Sequence, residues 1–406
     1  MAYLKQSPGV KQVEAAGSYR RAKETIGDLD ILVTASAGSP VVDRFVSYRE
    51  VAEVLAHGST KASVRLACKL QVDVRVVPKE SYGAALQYFT GSKAHNVALR
   101  QMAQQQGLKI NEYGVFKGER SVAGATEESV YASVGLPWIP PELRENRGEF
   151  EAARAARLPT LLEVVDLKGD LHAHTTATDG RNTIKEMAAA ARARGLEYLA
   201  ITDHSKRLAM AKGLDSKRLF EQLEEIDRLN ESSIGITLLK GIEVDILEDG
   251  SLDLPDEDLG RLDVVVGAVH SHFQLPRQKQ TERIIRAMDR PNFSILAHPS
   301  GRLIDEGVSY DVDMARIIRH ARSRGCFLEV NAQPIRLDLT DMHCQLAKEE
   351  GVLVSLNSDA HSVFDLANVQ FGVGQARRGW LEKKDVLNAR SLQRLRPLLK
   401  GTMQKT

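Results

Sequence analysis

A chain of 406 residues with 43% hydrophobic and 27% charged side chains has the length of two or three ordinary domains and an average globular composition, which excludes a mini-protein, a disordered chain and a collagen-like or coiled-coil rod. Lys and Arg number 55 against 54 Asp and Glu, a net charge of +1, which excludes a uniformly basic nucleic-acid coat. The total is a cancellation: residues 1–120 carry 17 basic against 11 acidic residues, and residues 121–406 carry 38 against 43. Cys68, Cys326 and Cys344 are odd in number and far apart, which suits free thiols serving as buried apolar filler in a reducing compartment. No apolar run approaches the ~18 residues that span a bilayer, and the N-terminus MAYLKQSPGVKQVEAAG has no apolar signal core. A cytoplasmic protein with no membrane partner is expected.

In the first 80 residues, short helical patterns alternate with strands, notably DLDILVTA from Asp28 and LQVDVRVVP from Leu70. Asp28 and Asp30 stand at i and i+2, so a strand puts both carboxylates on one face, where they can hold two Mg²⁺ ions roughly 4 Å apart for in-line nucleotidyl transfer. Asp73 interrupts an alternation in which Val72, Val74 and Val76 face the core, which places it with Arg75 on the opposite, polar face. Gly17 and Ser18 offer a tight turn and a hydroxyl, and Arg20 and Arg21 supply planar donors suited to phosphate oxygens. From Ser81 to about Val130 the pattern reads as mainly helical and polar. The Pro-rich stretch GLPWIPPELRENRGEF and the charged, Ala-rich segment up to Glu163 read as a domain boundary.

From Val164 apolar β-type runs alternate with amphipathic helices, and Gly195, Gly325 and Gly351 fit the left-handed position just past helix ends. Repeated β and α units predict parallel strands and favour a barrel, with a doubly wound open sheet as the competitor. Strand after strand ends in a histidine or an acid: His172 and His174, His204, Glu243, His270 and His272, His298, then Asp359 and His361. In a parallel barrel these ends share one rim, and imidazole with carboxylate suits Zn²⁺, Mn²⁺ or Fe. His57, His95, His320 and His343 lack that context and read as surface or core packing.

The motifs DLHAHTTATDG, AITDHS, GIEVDI, AVHSH, LAHPSG and NSDAH resemble, in family order, those of the PHP (polymerase and histidinol phosphatase) family. The resemblance implies a distorted (β/α)7 barrel hydrolysing phosphoesters with up to three divalent ions. It also implies the ligand set His172, His174, Asp179, His204, Glu243, His270, His298, Asp359 and His361, with His272 at the cleft. All nine are present, which implies a working hydrolase. Two or more ions would activate a water and neutralise phosphate charge.

GSYRR with GDLD, VDVR and YFTGSKAHNVALR are similar to the palm and thumb of family X DNA polymerases, most closely the bacterial and archaeal branch with a C-terminal PHP domain. That resemblance implies an α/β multidomain fold: a nucleotidyltransferase-type palm over 1–80, a small thumb over 81–146, a linker over 147–163 and the PHP barrel over 164–400. It implies Asp28, Asp30 and Asp73 as catalytic carboxylates served by Mg²⁺ or Mn²⁺. Ser18, Arg21 and Gly27 would lie around the nucleotide phosphates, Tyr88, Phe89 and Gly91 along the sugar, and Asn96 and Arg100 toward the base pair and template groove. Ala22 stands where the family usually has glycine, a change expected to be tolerated.

The family's helix-hairpin-helix DNA-binding and fingers domains have no counterpart before Gly17, so the chain is expected to be N-terminally truncated, with a weakened grip on duplex. The implied function is DNA repair by a monomer acting on gapped or primer-template DNA 3′ ends with dNTPs, polymerising at one site and cleaving 3′-terminal phosphodiesters at the other. The alternative is a small-molecule phosphatase of the histidinol-phosphate or nucleotide type with a vestigial first half.

Overall fold

The computed structural model describes residues 1–307 and 309–403. Its chain contacts separate into two units between Leu158 and Pro159.

In the first unit, strands β1 (Val10–Ala15), β2 (Asp28–Ala35), β3 (Val51–His57), β4 (Lys61–Leu66) and β5 (Gln71–Val76) form a sheet of order β1-β2-β5-β4-β3. Only β2 and β5 pair in parallel; the other pairs are antiparallel. One face is apolar because every second residue is: Val72 and Val74 of β5 and Ala62 and Val64 of β4 are buried with Val42 and Phe45 of the helix Val41–Val46. The alternate residues, Asp73 and Arg75, leave that core.

The segment read as mainly helical does hold the helices Tyr82–Thr90 and Lys93–Gln105, but it also holds an antiparallel sheet of β6 (Lys109–Asn111), β7 (Gly114–Lys117) and β8 (Arg120–Ala123). Strands of three or four residues are too short to display a period of two, so the expectation failed there. The Pro-rich stretch is core rather than boundary: Leu136, Ile139 and Leu143 are buried and Arg144 is wholly so. The expected linker 147–163 contains the helix Glu149–Arg154, whose Phe150 and Ala153 are buried.

The second unit is a sheet of seven parallel strands in sequence order: β9 (Gly169–Asp170), β10 (Tyr198–Ile201), β11 (Thr237–Asp245), β12 (Val264–Ala268), β13 (Ile295–Leu296), β14 (Phe327–Asn331) and β15 (Val354–Asn357). A parallel bridge from Ala173 to Ala360, just beyond the two end strands, brings the edges together, so the sheet is a nearly closed (β/α)7 barrel. An open doubly wound sheet is excluded by that order. Gly195, Gly325 and Gly351 have φ of 80°, 75° and 71°, the left-handed conformation that ends a helix before the next strand.

Cys326 and Cys344 are buried, whereas Cys68 is exposed in the turn between β4 and β5, so the filler reading is corrected for that thiol. Among the described residues no helix is long and apolar enough to cross a membrane.

Candidate active sites

All nine expected ligands of the second unit gather at the C-terminal ends of the barrel strands, because each apolar strand delivers its first polar residues to that rim. The ligand atoms of eight of them form three overlapping groups: His174, Asp179, His204 and His361; His172, His174 and Asp359; and His204, Glu243 and His270. The ninth, His298, stands outside these groups and is joined to them through Glu243. Glu243 is the hub. Its Oε2 lies 2.8 Å from His204 Nδ1, 3.5 Å from His172 Nε2 and 3.6 Å from His174 Nε2, while its Oε1 lies 3.0 Å from His298 Nε2 and 3.4 Å from His270 Nε2. Asp359 Oδ1 meets His174 Nε2 at 3.0 Å, and Asp179 Oδ2 stands 3.3 Å from His204 Nε2 and 3.6 Å from His361 Nε2. Asp179 and His361 are about one-third exposed and form the mouth; the others are buried more deeply.

The rings are aimed by acids that sequence reasoning missed. Glu329 Oε1 takes the N–H of His172 Nδ1 at 2.7 Å and its Oε2 takes the backbone N–H of His298 at 2.8 Å; Asp245 holds His270 Nδ1 at 2.7 Å. Asn331 donates to both Glu329 and Asp359. Outer carboxylates of this kind fix the tautomer and so point the free nitrogen inward. Their signal was an acid inside an apolar strand, FLEVN and GIEVDI. His298 and Asp359 have φ of 28° and 50°, left-handed values held at non-glycine residues, as is common where surroundings force a functional geometry.

These groups fit metal ions. His172 Nε2, His174 Nδ1 and His298 Nδ1 are buried without a hydrogen-bond partner, a costly arrangement unless something else binds them. Burial pushes His204 down, but Glu243 and Asp179 reverse it to about 10. His270, likewise opposed by burial, is lifted by Glu243 and Asp245 to about 9. Burial and the neighbouring His204 and His361 instead hold His174 down to about 4. Glu243 stays well below the carboxylate range although burial opposes it, because His204, His270 and His172 surround it. The cluster demands positive charge, which protons meet in part and divalent ions would meet in full.

His272 lies outside the nine, partly exposed and 3.7 Å from Glu248. His57 pairs with Asp43, His320 with Asp289, and His95 is buried between Glu149 and Tyr131; His343 is half-buried. None of these four belongs to the ligand groups.

In the first unit the parallel register sets Asp30 directly opposite Asp73, with Asp28 two residues earlier on β2. Burial, then the charges of Asp28 and Asp73, raise Asp30 to about 6 against the pull of Arg75 and Arg21; three acids crowded this way also call for cations. Asp73 is fixed by two neutral donors, the Ser63 hydroxyl on Oδ1 and the Gln71 amide on Oδ2 at 3.0 Å. Gly17 is required at its turn: φ is +64°, and a Cβ there would stand 2.5 Å from Asp30 Oδ2. Ser18 is half-buried beside it, and Gly27 and Asp28 are exposed.

Arg20, expected among the phosphate donors, is committed inside the unit: both of its terminal nitrogens reach Glu127 at 2.8 Å, and one also reaches Thr90 Oγ1. Arg21 bonds the Thr90 carbonyl and, at 3.1 Å, Glu145, next to Gly91, whose φ is 70°. Tyr88 and Phe89 are half-buried, the Phe89 ring 4.5 Å under the Arg75 guanidinium. Asn96 links Gln87 to the Tyr88 carbonyl, and Arg100 Nε donates to the Asn96 carbonyl at 3.3 Å.

A carboxylate triad on a mixed sheet and a histidine-rich centre on a seven-stranded barrel define a two-site enzyme of phosphoester chemistry. Family profiles described as DNA polymerase beta palm, DNA polymerase beta thumb and PHP domain match residues 2–79, 85–145 and 170–333. The DNA polymerase/3′-5′ exonuclease PolX of Bacillus subtilis is 41% identical over 402 residues, covering 98% of this chain and 70% of that protein. The chain belongs to that family. A Probable phosphatase of Thermoanaerobacter pseudethanolicus is 30% identical over 234 residues, 54% of this chain and 89% of that one. Another, from Caldanaerobacter subterraneus, is 32% identical over 208 residues, 48% and 77% of the two.

Proposed function

We propose that the chain makes DNA phosphodiester bonds at the carboxylate triad and breaks them from the 3′ end at the barrel centre. The observation that carries this reading is the coexistence of a carboxylate triad and a histidine-carboxylate cluster, eight of the nine expected ligands in its metal-sized groups, in one chain that aligns over 98% of its length with a polymerase/exonuclease. The phosphatases match about half of the chain and leave the triad unaccounted for.

Divalent ions, when bound, supply charge neutralisation for the phosphate and make a water acidic enough to attack at neutral pH. We assign Mg²⁺ or Mn²⁺ to the triad, and up to three Zn²⁺, Mn²⁺ or Fe ions to the barrel, with Mn²⁺ foremost for DNA cleavage. In the barrel, Glu243 is the carboxylate shared among ligand groups, Glu329 and Asp245 hold the His172 and His270 tautomers, and Asp179 and His361 stand where a strand end enters. In the palm, Asp28 and Asp30 face the triphosphate and Asp73, held by Ser63 and Gln71, aligns the primer 3′-hydroxyl. Ser18, Arg21 and Gly27 take the phosphates; Tyr88, Phe89 and Gly91 take the sugar; Asn96 and Arg100 take the template side. We place palm and thumb at 1–80 and 81–146.

The test is 3′-to-5′ degradation of single-stranded and gapped DNA with Mn²⁺, alongside primer extension. His172→Ala with His174→Ala abolishes degradation and spares extension; Asp30→Asn with Asp73→Asn does the converse. Unchanged degradation in the histidine variant overturns the assignment of that chemistry to the barrel.

A further inference from the structure

Four of the seven loops that follow the barrel strands place a large apolar side chain in solvent. They carry Met210 after β10, Phe273 after β12, Ile335 after β14 and Phe364 after β15, exposed by 99%, 43%, 50% and 81%. All four loops share the rim that carries the ligand set. Two of these residues are aromatic, and each sits three positions beyond a ligand: Phe273 beyond His270 and Phe364 beyond His361. Since β12 and β15 lie three steps apart in a ring of seven, the two loops that carry them rise from opposite sides of the barrel.

Both are presented rather than loosely hung. The Phe273 ring lies parallel to Tyr310, at 2° and 6.2 Å between centroids, and the buried Tyr310 donates its hydroxyl to the His298 carbonyl at 3.3 Å. Phe273 thus lies parallel to, and offset from, a ring whose hydroxyl is bonded to His298. The Phe364 loop is stapled by Asp365, which accepts from the His361 backbone N–H at 3.1 Å and from the Ser362 hydroxyl at 2.9 Å.

A flat apolar ring in water beside a phosphoester centre matches a nucleobase, whose π-face stacks regardless of sequence. A base offers that face only when it is unpaired. We propose that Phe273 and Phe364 are the base-stacking contacts that hold an unpaired 3′ end of DNA across the mouth of the barrel centre. This assignment rests on the exonuclease reading above.

The test compares the full chain with Phe273→Ala, Phe364→Ala and the double variant, trimming a single-stranded oligonucleotide with Mn²⁺. Hydrolysis of bis(p-nitrophenyl) phosphate, which has no base, serves as the second readout. Each alanine raises KM for the oligonucleotide about 10-fold or more with kcat within about twofold, and the small diester is hydrolysed as before. Phe→Trp at either position restores KM. An oligonucleotide whose last two nucleotides are abasic binds the unaltered chain as weakly as the intact one binds the double variant. Unchanged KM in the double variant overturns the proposal, as does an equal loss on the small diester. A change of oligomeric state with KM unchanged also overturns it, by making a second copy the occupant. An unaltered chain that hydrolyses the small diester but no DNA overturns the exonuclease reading itself.

Discussion

Glu127 holds together the end of the first unit. Its carboxylate is 5% exposed, accepts two bonds from Arg20 at 2.8 Å, one from Arg144 at 2.7 Å and one from the Trp138 indole at 2.9 Å. Burial pushes this acid up, yet Arg20 and Arg144 outweigh it and hold it at about 2, against an ordinary 4.5. That difference, at 1.36 kcal/mol for each pH unit, favours the ionised form by about 3 kcal/mol. Glu127→Gln keeps the shape, removes the charge and leaves two guanidinium groups unneutralised, Arg144 wholly buried. The expected cost at pH 7 is about 3–4 kcal/mol, within the range for breaking a buried pair. Trp138 and Trp380 are the chain's two tryptophans, so in a Trp380→Phe background indole fluorescence during urea unfolding reports on the first unit alone. Because the folded value lies below the unfolded one, the stabilisation is complete above pH 4.5 and fades as pH falls toward about 2. The gap between the two proteins therefore starts to shrink near pH 4.5. A gap under about 1 kcal/mol at pH 7, or one constant from pH 5 to 2.5, refutes the reasoning.

Gly17→Ala drives a Cβ to 2.5 Å from Asp30 Oδ2 at a φ of +64°; primer extension should fall about 100-fold in single-turnover assays, with 3′ degradation untouched. Ala22 occupies φ 52°, so Ala22→Gly should relieve left-handed strain and raise the stability of the first unit by about 0.5–1 kcal/mol in the same unfolding assay. Glu329→Gln keeps a hydrogen-bonding partner for His172 but removes the charge that fixes its tautomer; calorimetric titration should show Mn²⁺ affinity at the barrel reduced about 10- to 100-fold.

What could be read from the sequence was what is local. The run DLDILVTA forms β2 over Asp28–Ala35, and Asp73 leaves the core between buried Val72 and Val74, because a period of two needs only neighbours to declare itself. The barrel rim was legible for a related reason: in parallel strands the first polar residue after an apolar run is at the rim by construction. What was hidden depends on distant pairing. Arg20 and Arg21 are equivalent as sequence, yet Arg20 meets Glu127, 107 residues away, and Arg21 meets Glu145, 124 residues away. Glu329 reaches His172 across 157 residues. Ser63 becomes a partner of Asp73 only through the antiparallel register of β4 and β5.

The charge asymmetry acquires a mechanism once the barrel centre is seen. The second unit, residues 159–406, holds 37 acidic against 34 basic side chains, and five carboxylates, Asp179, Glu243, Asp245, Glu329 and Asp359, surround the histidines of one centre. Without ions that unit opposes a DNA strand; two or three divalent cations reverse the local sign. Metal loading should therefore change how DNA binds as well as whether it is cut. Anisotropy of a phosphorothioate-capped single strand, titrated with salt, should show tighter binding and a steeper log–log slope with Mn²⁺ than with chelator, by about 0.7 for each added phosphate contact. The same shift should vanish in His172→Ala/His174→Ala, which leaves the triad's own ions in place. An equal slope with and without Mn²⁺, or a shift that survives in that variant, would place the strand's electrostatic contacts away from the barrel.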